Sequence, residues 1–292
     1  MDNKIKKLAK VSLIAGILLS SGGVLFAQTG TTPTQSNPSS PGSNGSIVQG
    51  KDTSPVNSSN VMNNMSTRET EAFQRFQAIP DSQFDKKVKV GEEFLKKFQN
   101  SIYMPAIYSI LSVTYIQNNQ PEKGFADGEK ALALKPNDTR TLANLAQAMA
   151  RMNQSDIPNR MEKAEQYAQK CIQITPTLVK PDNVTAEQFT ASNNLNLAMA
   201  HSALGTVRVR QGKFAEAIPE LKEAVRLDAT KDPTNLYLLG IANENSGHYA
   251  DALDAFNQCA ASATANLQQT CKGGAAEAQK HIAAGNSAPA PK

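Results

Sequence analysis

The sequence has no tryptophan, only three cysteines and an aromatic fraction of 5% over its 292 residues. Large rings can therefore fill little of its interior, although 40% of the residues are hydrophobic, which is ample for a buried core. Alanine, the strongest helix former, recurs throughout the chain. This composition favours an all-helical protein whose helices lie in close contact with one another.

Concentrated positive charge is also lacking once the N-terminus is set aside. The formal net charge is +4, and five residues among the first ten contribute +3 of it, namely Asp2, Lys4, Lys6, Lys7 and Lys10. The rest of the chain therefore carries only +1. Because nucleic-acid recognition usually requires a concentrated basic face, the sequence argues against a nucleic-acid partner.

Recognisable catalytic and metal-binding motifs are missing as well. The three histidines, His201, His248 and His281, lack the spacing of a metal site such as HExxH. We find neither a phosphate-binding glycine loop nor a Gly-x-Ser-x-Gly elbow. The sequence thus predicts no catalytic residue, no metal ligand and no cofactor, and His201 is expected to pack within a helix pair.

The first 27 residues have the form of a secretory signal peptide, with a basic stretch followed by an apolar run. The alternative is an inner-membrane anchor formed by residues 11–26, although spanning a bilayer takes about 20 apolar residues. We expect an exported protein, periplasmic or associated with the cell envelope. It would contact a membrane only through this segment, and only if the segment stays uncleaved.

Two segments contain few apolar residues that could be buried in a core. Residues 28–66 are rich in Ser, Thr, Pro, Gly and Asn, and residues 285–292 include the sequence NSAPAPK. Segments of this composition cannot offset the entropy that folding costs, so both are predicted to be disordered. Folding is therefore expected to be confined to residues 67–284.

The remaining chain repeats itself. Apolar residues at helical spacing recur in YSILSVTYIQNNQPEKGFADGEKALALKP, HSALGTVRVRQGKFAEAIPELKEAVRLDA and LYLLGIANENSGHYADALDAFNQCA, with large and small residues in the same order. This order resembles that of the tetratricopeptide repeat family, in which residues of defined size occupy fixed positions of a 34-residue unit. Repeat positions 4, 7, 8, 11, 20, 24, 27 and 32 of the first unit hold Tyr108, Leu111, Ser112, Tyr115, Gly124, Gly128, Ala131 and Pro136.

The resemblance implies an all-α, right-handed α-solenoid of helix-turn-helix repeats. Its parts are a degenerate pair (67–101), four units (105–138, 139–178, 198–231 and 233–266) and a cap helix (267–284). The second unit has a lengthened turn around SDIPNR. Thr185 and Gln188 form a capping-box pattern that predicts a long helix continuing to about Gln211. Gly128 removes the usual large residue at repeat position 24, so another side chain must fill that space.

The cysteines fall into two groups. Cys171 occupies a small core position and is expected to be an inert buried thiol. Cys259 and Cys271 lie in the last helix of the fourth unit and at the start of the cap helix, where an intervening turn could bring them together. We expect a disulfide between them, which export would permit, with two free thiols as the alternative.

In this family a concave groove is lined by first-helix positions, and the resemblance implies the following groove residues here: Arg140, Asn144, Gln147, Arg151, Thr206, Arg210, Tyr237 and Glu244. The three arginines could receive a carboxylate, or they could simply be solvated. The expected function is a non-catalytic scaffold or adaptor of the bacterial cell envelope that binds a protein or peptide partner. The alternatives are a binder of a small envelope ligand or glycan and, less favoured, an enzyme of unrecognised type.

Overall fold

The computed structural model describes residues 58–152 and 157–286, and every regular element in them is helical. The all-α prediction is therefore confirmed for this part of the chain. The helices are α1 (Ser58–Gln77), α2 (Phe84–Lys97), α3 (Met104–Gln117), α4 (Pro121–Leu134), α5 (Thr139–Arg151), α6 (Ile157–Ile174), α7 (Ala186–Arg210), α8 (Phe214–Leu227), α9 (Pro233–Asn245), α10 (Tyr249–Ser262) and α11 (Ala265–Ala283). One turn of 3-10 helix, Thr175–Thr177, follows α6.

Helix α1 begins earlier than the sequence predicted. Disorder was expected up to residue 66, but α1 starts at Ser58. The last proline before it is Pro55, and residues 58–66 contain neither proline nor glycine, so nothing in them stops helix propagation. The expected signal peptide (1–27), most of the expected linker, residues 153–156 of the lengthened turn and residues 287–292 of the tail lie outside the described residues.

The helices form successive pairs: α1 and α2 lead, then α3 with α4, α5 with α6, α7 with α8 and α9 with α10 make units 1 to 4. Glycine at repeat position 8 allows the two helices of a pair to touch. A Cβ on Gly205 would lie 2.5 Å from Leu221, and a Cβ on Gly240 would lie 2.5 Å from Phe256. Any larger residue would force the two helices apart.

The space left by Gly128 is filled from the next unit. A Cβ on Gly128 would lie 2.6 Å from a methyl group of Leu145 in α5 and 2.8 Å from the hydroxyl oxygen of Ser112. Leu145 is itself fully buried. The side chain expected to compensate for this glycine is therefore supplied by the first helix of unit 2.

The apolar core is divided along the stack. One cluster joins the lead pair to α3 through Phe76, Phe94, Ile107, Leu111 and Tyr115. A second and larger cluster runs from α4 through α7, so that unit 2 shares one core with the last helix of unit 1 and the first helix of unit 3. A third cluster joins α8 to α9 and α10, and a fourth joins α9 and α10 to α11. The boundary between the second and third clusters thus falls within unit 3, between α7 and α8.

Helix α7 begins at the predicted capping box. The Thr185 hydroxyl accepts a hydrogen bond from the Gln188 amide, and the Gln188 side-chain oxygen accepts one from the Thr185 amide, both at 3.2 Å. Its third turn lies against the start of α5, since the Asn196 side chain donates to the Thr139 hydroxyl at 3.2 Å. At 25 residues it is the longest helix described, but none of the described helices is both long and apolar enough to cross a membrane.

A disulfide joins the last repeat to the cap. Cys259 in α10 and Cys271 in α11 are bonded, with their Cα atoms 5.9 Å apart, as expected from the sequence. Cys171 lies fully buried between α6 and its neighbours, and burial raises the pKa of its thiol to about 11. It is therefore protonated and unreactive at neutral pH.

Candidate functional site

The first helices of neighbouring units are tied together by polar side chains at two repeat positions. In unit 2, the Thr141 hydroxyl donates to the Ser109 hydroxyl of unit 1 at 2.7 Å. In unit 3, the Ser202 hydroxyl donates to the side-chain oxygen of Asn235 in unit 4 at 2.6 Å. All four residues are buried. The pairs join repeat position 5 of one unit to repeat position 3 of the next and so fix α3 beside α5 and α7 beside α9.

Arg151, at the end of α5, reaches across α7 to α9. Its Nη2 donates to the Ser202 hydroxyl at 2.9 Å and to the Asn235 side-chain oxygen at 3.1 Å, and it lies 2.7 Å from a carboxylate oxygen of Asp232. We call these four residues the arginine clamp. One side chain thus bridges the first helices of three consecutive units.

The Asp232 carboxylate of the clamp is ionised at neutral pH. Burial alone would raise the pKa of Asp232, but the Arg151 charge and the hydrogen bonds from Thr234 together hold it below its usual value. Asp232 also caps α9, because its side chain accepts a hydrogen bond from the Thr234 amide at 2.9 Å. Arg151 Nε is buried without a hydrogen-bond partner among the described residues, so the guanidinium is held mainly through Nη2.

The contacts along the stack identify the type of repeat. In units 3 and 4 a glycine at repeat position 8 lies against a large residue at position 24, which is the order of residue sizes that the sequence resemblance implied. In unit 1, Gly128 at position 24 faces Leu145 at position 7 of the next unit. The helix pairs are tetratricopeptide-type repeats. No protein-family model matches the chain, and no curated protein sequence matches it.

Solved tetratricopeptide-type structures resemble the chain at low identity. One is TTC0263, a thermophilic tetratricopeptide repeat protein of Thermus thermophilus, with 16% identity and a TM-score of 0.48 over 70% of this chain and 98% of that one. Another is PilF of Pseudomonas aeruginosa, with 15% identity and a TM-score of 0.48 over 77% of this chain and 91% of that one.

The expectation that Arg151 is available to a partner's carboxylate is wrong, because Asp232 already occupies its guanidinium. Arg210 is partly engaged too, since its Nη2 donates to the main-chain oxygen of Arg151 at 3.1 Å. Burial of the guanidinium lowers the pKa of Arg210. Of the three arginines predicted from the sequence, Arg151 is structural, and Arg140 and Arg210 keep exposed surface.

Two other predicted groove residues are buried. The Thr206 hydroxyl donates to the main-chain oxygen of Ser202 at 2.7 Å, and only 4% of the residue is exposed. Tyr237 packs against Phe256 with ring centroids 6.0 Å apart, and burial raises its pKa. The prediction that these two side chains face a partner is therefore wrong, because neighbouring helices cover them.

The predicted residues that remain accessible lie mostly on α5. Arg140 is exposed, and Asn144 and Gln147 are partly exposed, four and three residues further along the helix, so the three share one side of it. Glu244 on α9 is partly exposed. We call Arg140, Asn144 and Gln147 the α5 stripe. It runs along α5 toward Arg151 of the clamp, which lies four residues beyond Gln147.

Sequence reasoning missed Ser202, Asp232 and Asn235, which build the clamp. A signal was present, because hydroxyl or amide residues recur at repeat positions 3 and 5 of neighbouring units. His201 lies within its helix pair, as expected: its Nδ1 is 2.7 Å from a carboxylate oxygen of Glu220 in α8, although the residue is partly exposed. Within the described residues, no three His, Cys, Asp or Glu side chains gather as a metal site would require.

Proposed function

We propose that this protein is a non-catalytic adaptor of the bacterial cell envelope that binds a segment of a partner protein on the inner face of its stack. The observation that carries this proposal is the arginine clamp, which locks α5, α7 and α9 side by side. A surface fixed in this way loses little conformational freedom when a partner binds. Stacked helical repeats are suited to such binding because they present extended surfaces.

The α5 stripe supplies the recognition chemistry. The Arg140 guanidinium suits a carboxylate, and the amides of Asn144 and Gln147 can both donate to and accept from a peptide backbone. Arg210 adds positive charge near the end of α5, whereas Glu244 adds negative charge on α9. The partner segment should therefore carry acidic side chains where it lies along α5.

Export is part of the proposal and has two supports. The first 27 residues have signal-peptide form. The cap is closed by the disulfide between Cys259 and Cys271, a bond that persists in oxidising compartments and is rare in the cytosol. A periplasmic or cell-surface location satisfies both observations.

The test is an affinity pull-down from envelope extract that compares the wild type with Arg140→Glu/Gln147→Ala. Arg151 is left intact because its replacement would disturb the fold. The matched control is Arg226→Glu, which makes the same change of charge on the exposed side of α8, where the lost ion pair with Glu223 contributes little. We expect the α5 variant to lose a specific protein that the wild type and the control both retain. Identical captures by all three would refute the inner-face site, and absence of any captured protein would favour the small-ligand or glycan alternative.

A further inference from the structure

Repeat position 11 points from the first helix of a unit into a cleft between second helices. In unit 1 this position is Tyr115, which is 4% exposed. Its hydroxyl donates to Glu92, the ninth residue of α2, at 2.7 Å, and Lys123, the third residue of α4, lies 5.4 Å from the ring centroid. The tyrosine ring thus fills the cleft, with one charged residue on each side.

Unit 3 fills the same cleft differently. Repeat position 11 is Arg208, whose guanidinium lies 3.8 Å from Glu165, the ninth residue of α6, and 3.0 Å from Glu216, the third residue of α8. The two flanking positions are therefore the same as in unit 1. A long side chain from the first helix again occupies the space between them.

Unit 4 has a short side chain at this position. Asn243 takes the place of the tyrosine or arginine, and the flanking positions hold Lys222, the ninth residue of α8, and Asp251, the third residue of α10. These two pair with each other at 3.6 Å instead of with a residue of α9. A pocket of about 210 Å³ lies between α8, α9 and α10, with Asn243 among its lining residues.

The bottom of this pocket is apolar except for one amide. Leu236, Leu239 and Ala255 line it and are buried, and Asn243 is only 1% exposed. Neither Nδ2 nor Oδ1 of Asn243 has a hydrogen-bond partner among the described residues. A buried polar group without a partner is costly, and the Asn243 amide leaves both a donor and an acceptor unsatisfied beside the pocket.

The rim of the pocket has mixed charge. Lys222, Asp251, Asp254 and Gln258 line it and are exposed. An anion would meet two carboxylates, and a cation would meet Lys222. The rim therefore favours a neutral group.

We propose that this pocket binds a phenolic ring. A ring would replace the one that Tyr115 places in the equivalent cleft of unit 1, and a cavity of about 150 Å³ is already sufficient to hold benzene. The faces of the ring would lie against Leu236 and Leu239, and its hydroxyl would donate to or accept from the Asn243 amide. This site lies between second helices and does not depend on binding at the inner face.

The probe is p-cresol, the side chain of tyrosine, titrated into the disulfide-intact chain by calorimetry with toluene as the matched ligand. We expect a dissociation constant on the order of 1 mM for p-cresol. Toluene should bind about tenfold more weakly, because it leaves the amide unpaired. Asn243→Tyr should abolish p-cresol binding and raise the melting temperature, since the chain's own ring then fills the cleft. Asn243→Leu should reverse the preference in favour of toluene.

The peptide Gly-Tyr-Gly separates the two sources of a phenol. Binding of the peptide with an affinity similar to that of p-cresol would indicate a tyrosine of a partner protein, and binding of p-cresol alone would indicate a small phenolic ligand. The proposal is overturned if p-cresol does not bind the wild type, binds Asn243→Tyr equally well, or binds no better than toluene.

Discussion

Units 2 and 3 meet through alanines, whereas units 3 and 4 meet through hydrogen-bonded polar side chains at the same repeat positions. At the first junction, Ala143 and Ala200 are fully buried in one apolar cluster. At the second, Ser202 is bonded to Asn235 and both are bonded to Arg151. The same arrangement of helices is thus stabilised by two chemistries. Close packing joins the first helices α5 and α7, and directional bonds join α7 to α9, whose buried apolar residues belong to different clusters.

The two kinds of junction affect which part of the stack should unfold first. A repeat protein is stabilised by its units and by the interfaces between them, so its weakest interface opens first. Helices α4 to α7 share one core and should unfold together. Unit 4 shares its core mainly with α8 and the disulfide-bonded cap, so it should open with these elements.

The largest expected effect comes from placing a polar side chain in the alanine junction. Ala200→Asn would crowd a fully buried site and bury an amide without a partner, which together should lower the free energy of unfolding by about 4 kcal/mol. Urea denaturation followed by circular dichroism measures the loss.

The double variant Ala143→Ser/Ala200→Asn tests whether the two junctions are interchangeable. It places at the junction of units 2 and 3 the same serine and asparagine that join units 3 and 4 at these repeat positions. We expect it to recover about 1 kcal/mol of the loss through the new hydrogen bond. A double variant no more stable than Ala200→Asn would show that polar pairing requires the local geometry of the arginine clamp.

The second effect concerns the cap. Replacing Cys259 and Cys271 by serine opens a short disulfide loop, which should lower the stability of unit 4 and α11 by about 3 kcal/mol. Hydrogen exchange should accelerate in α10 and α11 and stay unchanged in α5 and α7. The buried Cys171→Ser variant is the control for loss of a thiol, and uniform acceleration along the chain in the cap variant would contradict separate opening of unit 4.

Much of the fold could be predicted from the sequence because it depends on residue size at fixed spacing. The capping box at Thr185 and Gln188 predicted the long α7, and the positions of Cys259 and Cys271 predicted the disulfide. The sequence also showed that Gly128 leaves repeat position 24 without its usual large side chain. The residue that replaces it, Leu145, comes from another unit and was not predicted.

The candidate site was predicted less well because exposure depends on how neighbouring units are placed. Thr206 and Tyr237 occupy positions that face outward on an isolated helix, but the adjacent helices bury them. Arg151 was predicted as a groove residue, but its partner Asp232, which lies two units away, was not predicted. A contact between residues so far apart in the chain has no signature in local spacing.

The third effect is loss of the ion pair in the clamp. Asp232→Asn keeps a side chain that can cap α9 but removes the negative charge facing Arg151. The two side chains are 26% and 21% exposed, so we expect a loss of about 2 kcal/mol, less than for a fully buried pair. As the pH is lowered from 7, the difference in the free energy of unfolding between the variant and the wild type should stay constant to about pH 4, near the ordinary pKa of an aspartate.

Below that pH the difference should shrink. The folded state holds the pKa of Asp232 below its unfolded value, so the stabilisation is complete above the unfolded pKa and disappears as the pH falls through the folded one. Urea denaturation at each pH gives the two curves. A difference independent of pH down to about pH 2 would mean that the charge of Asp232 contributes nothing and that the clamp acts only through neutral hydrogen bonds.

The smallest effect is expected at the junction between units 1 and 2, where a single hydroxyl pair joins α3 to α5. Ser109→Ala removes the acceptor of the Thr141 hydroxyl, but that hydroxyl can still donate to Asp138. Phe125 of α4 also belongs to the core of unit 2, so apolar contact persists across this junction. We expect a loss of about 0.5 to 1 kcal/mol in urea denaturation. A loss as large as that of Asp232→Asn would mean that the hydroxyl pair holds units 1 and 2 together with little help from Phe125. The junction of units 1 and 2 would then resemble the arginine clamp more than the alanine junction of units 2 and 3.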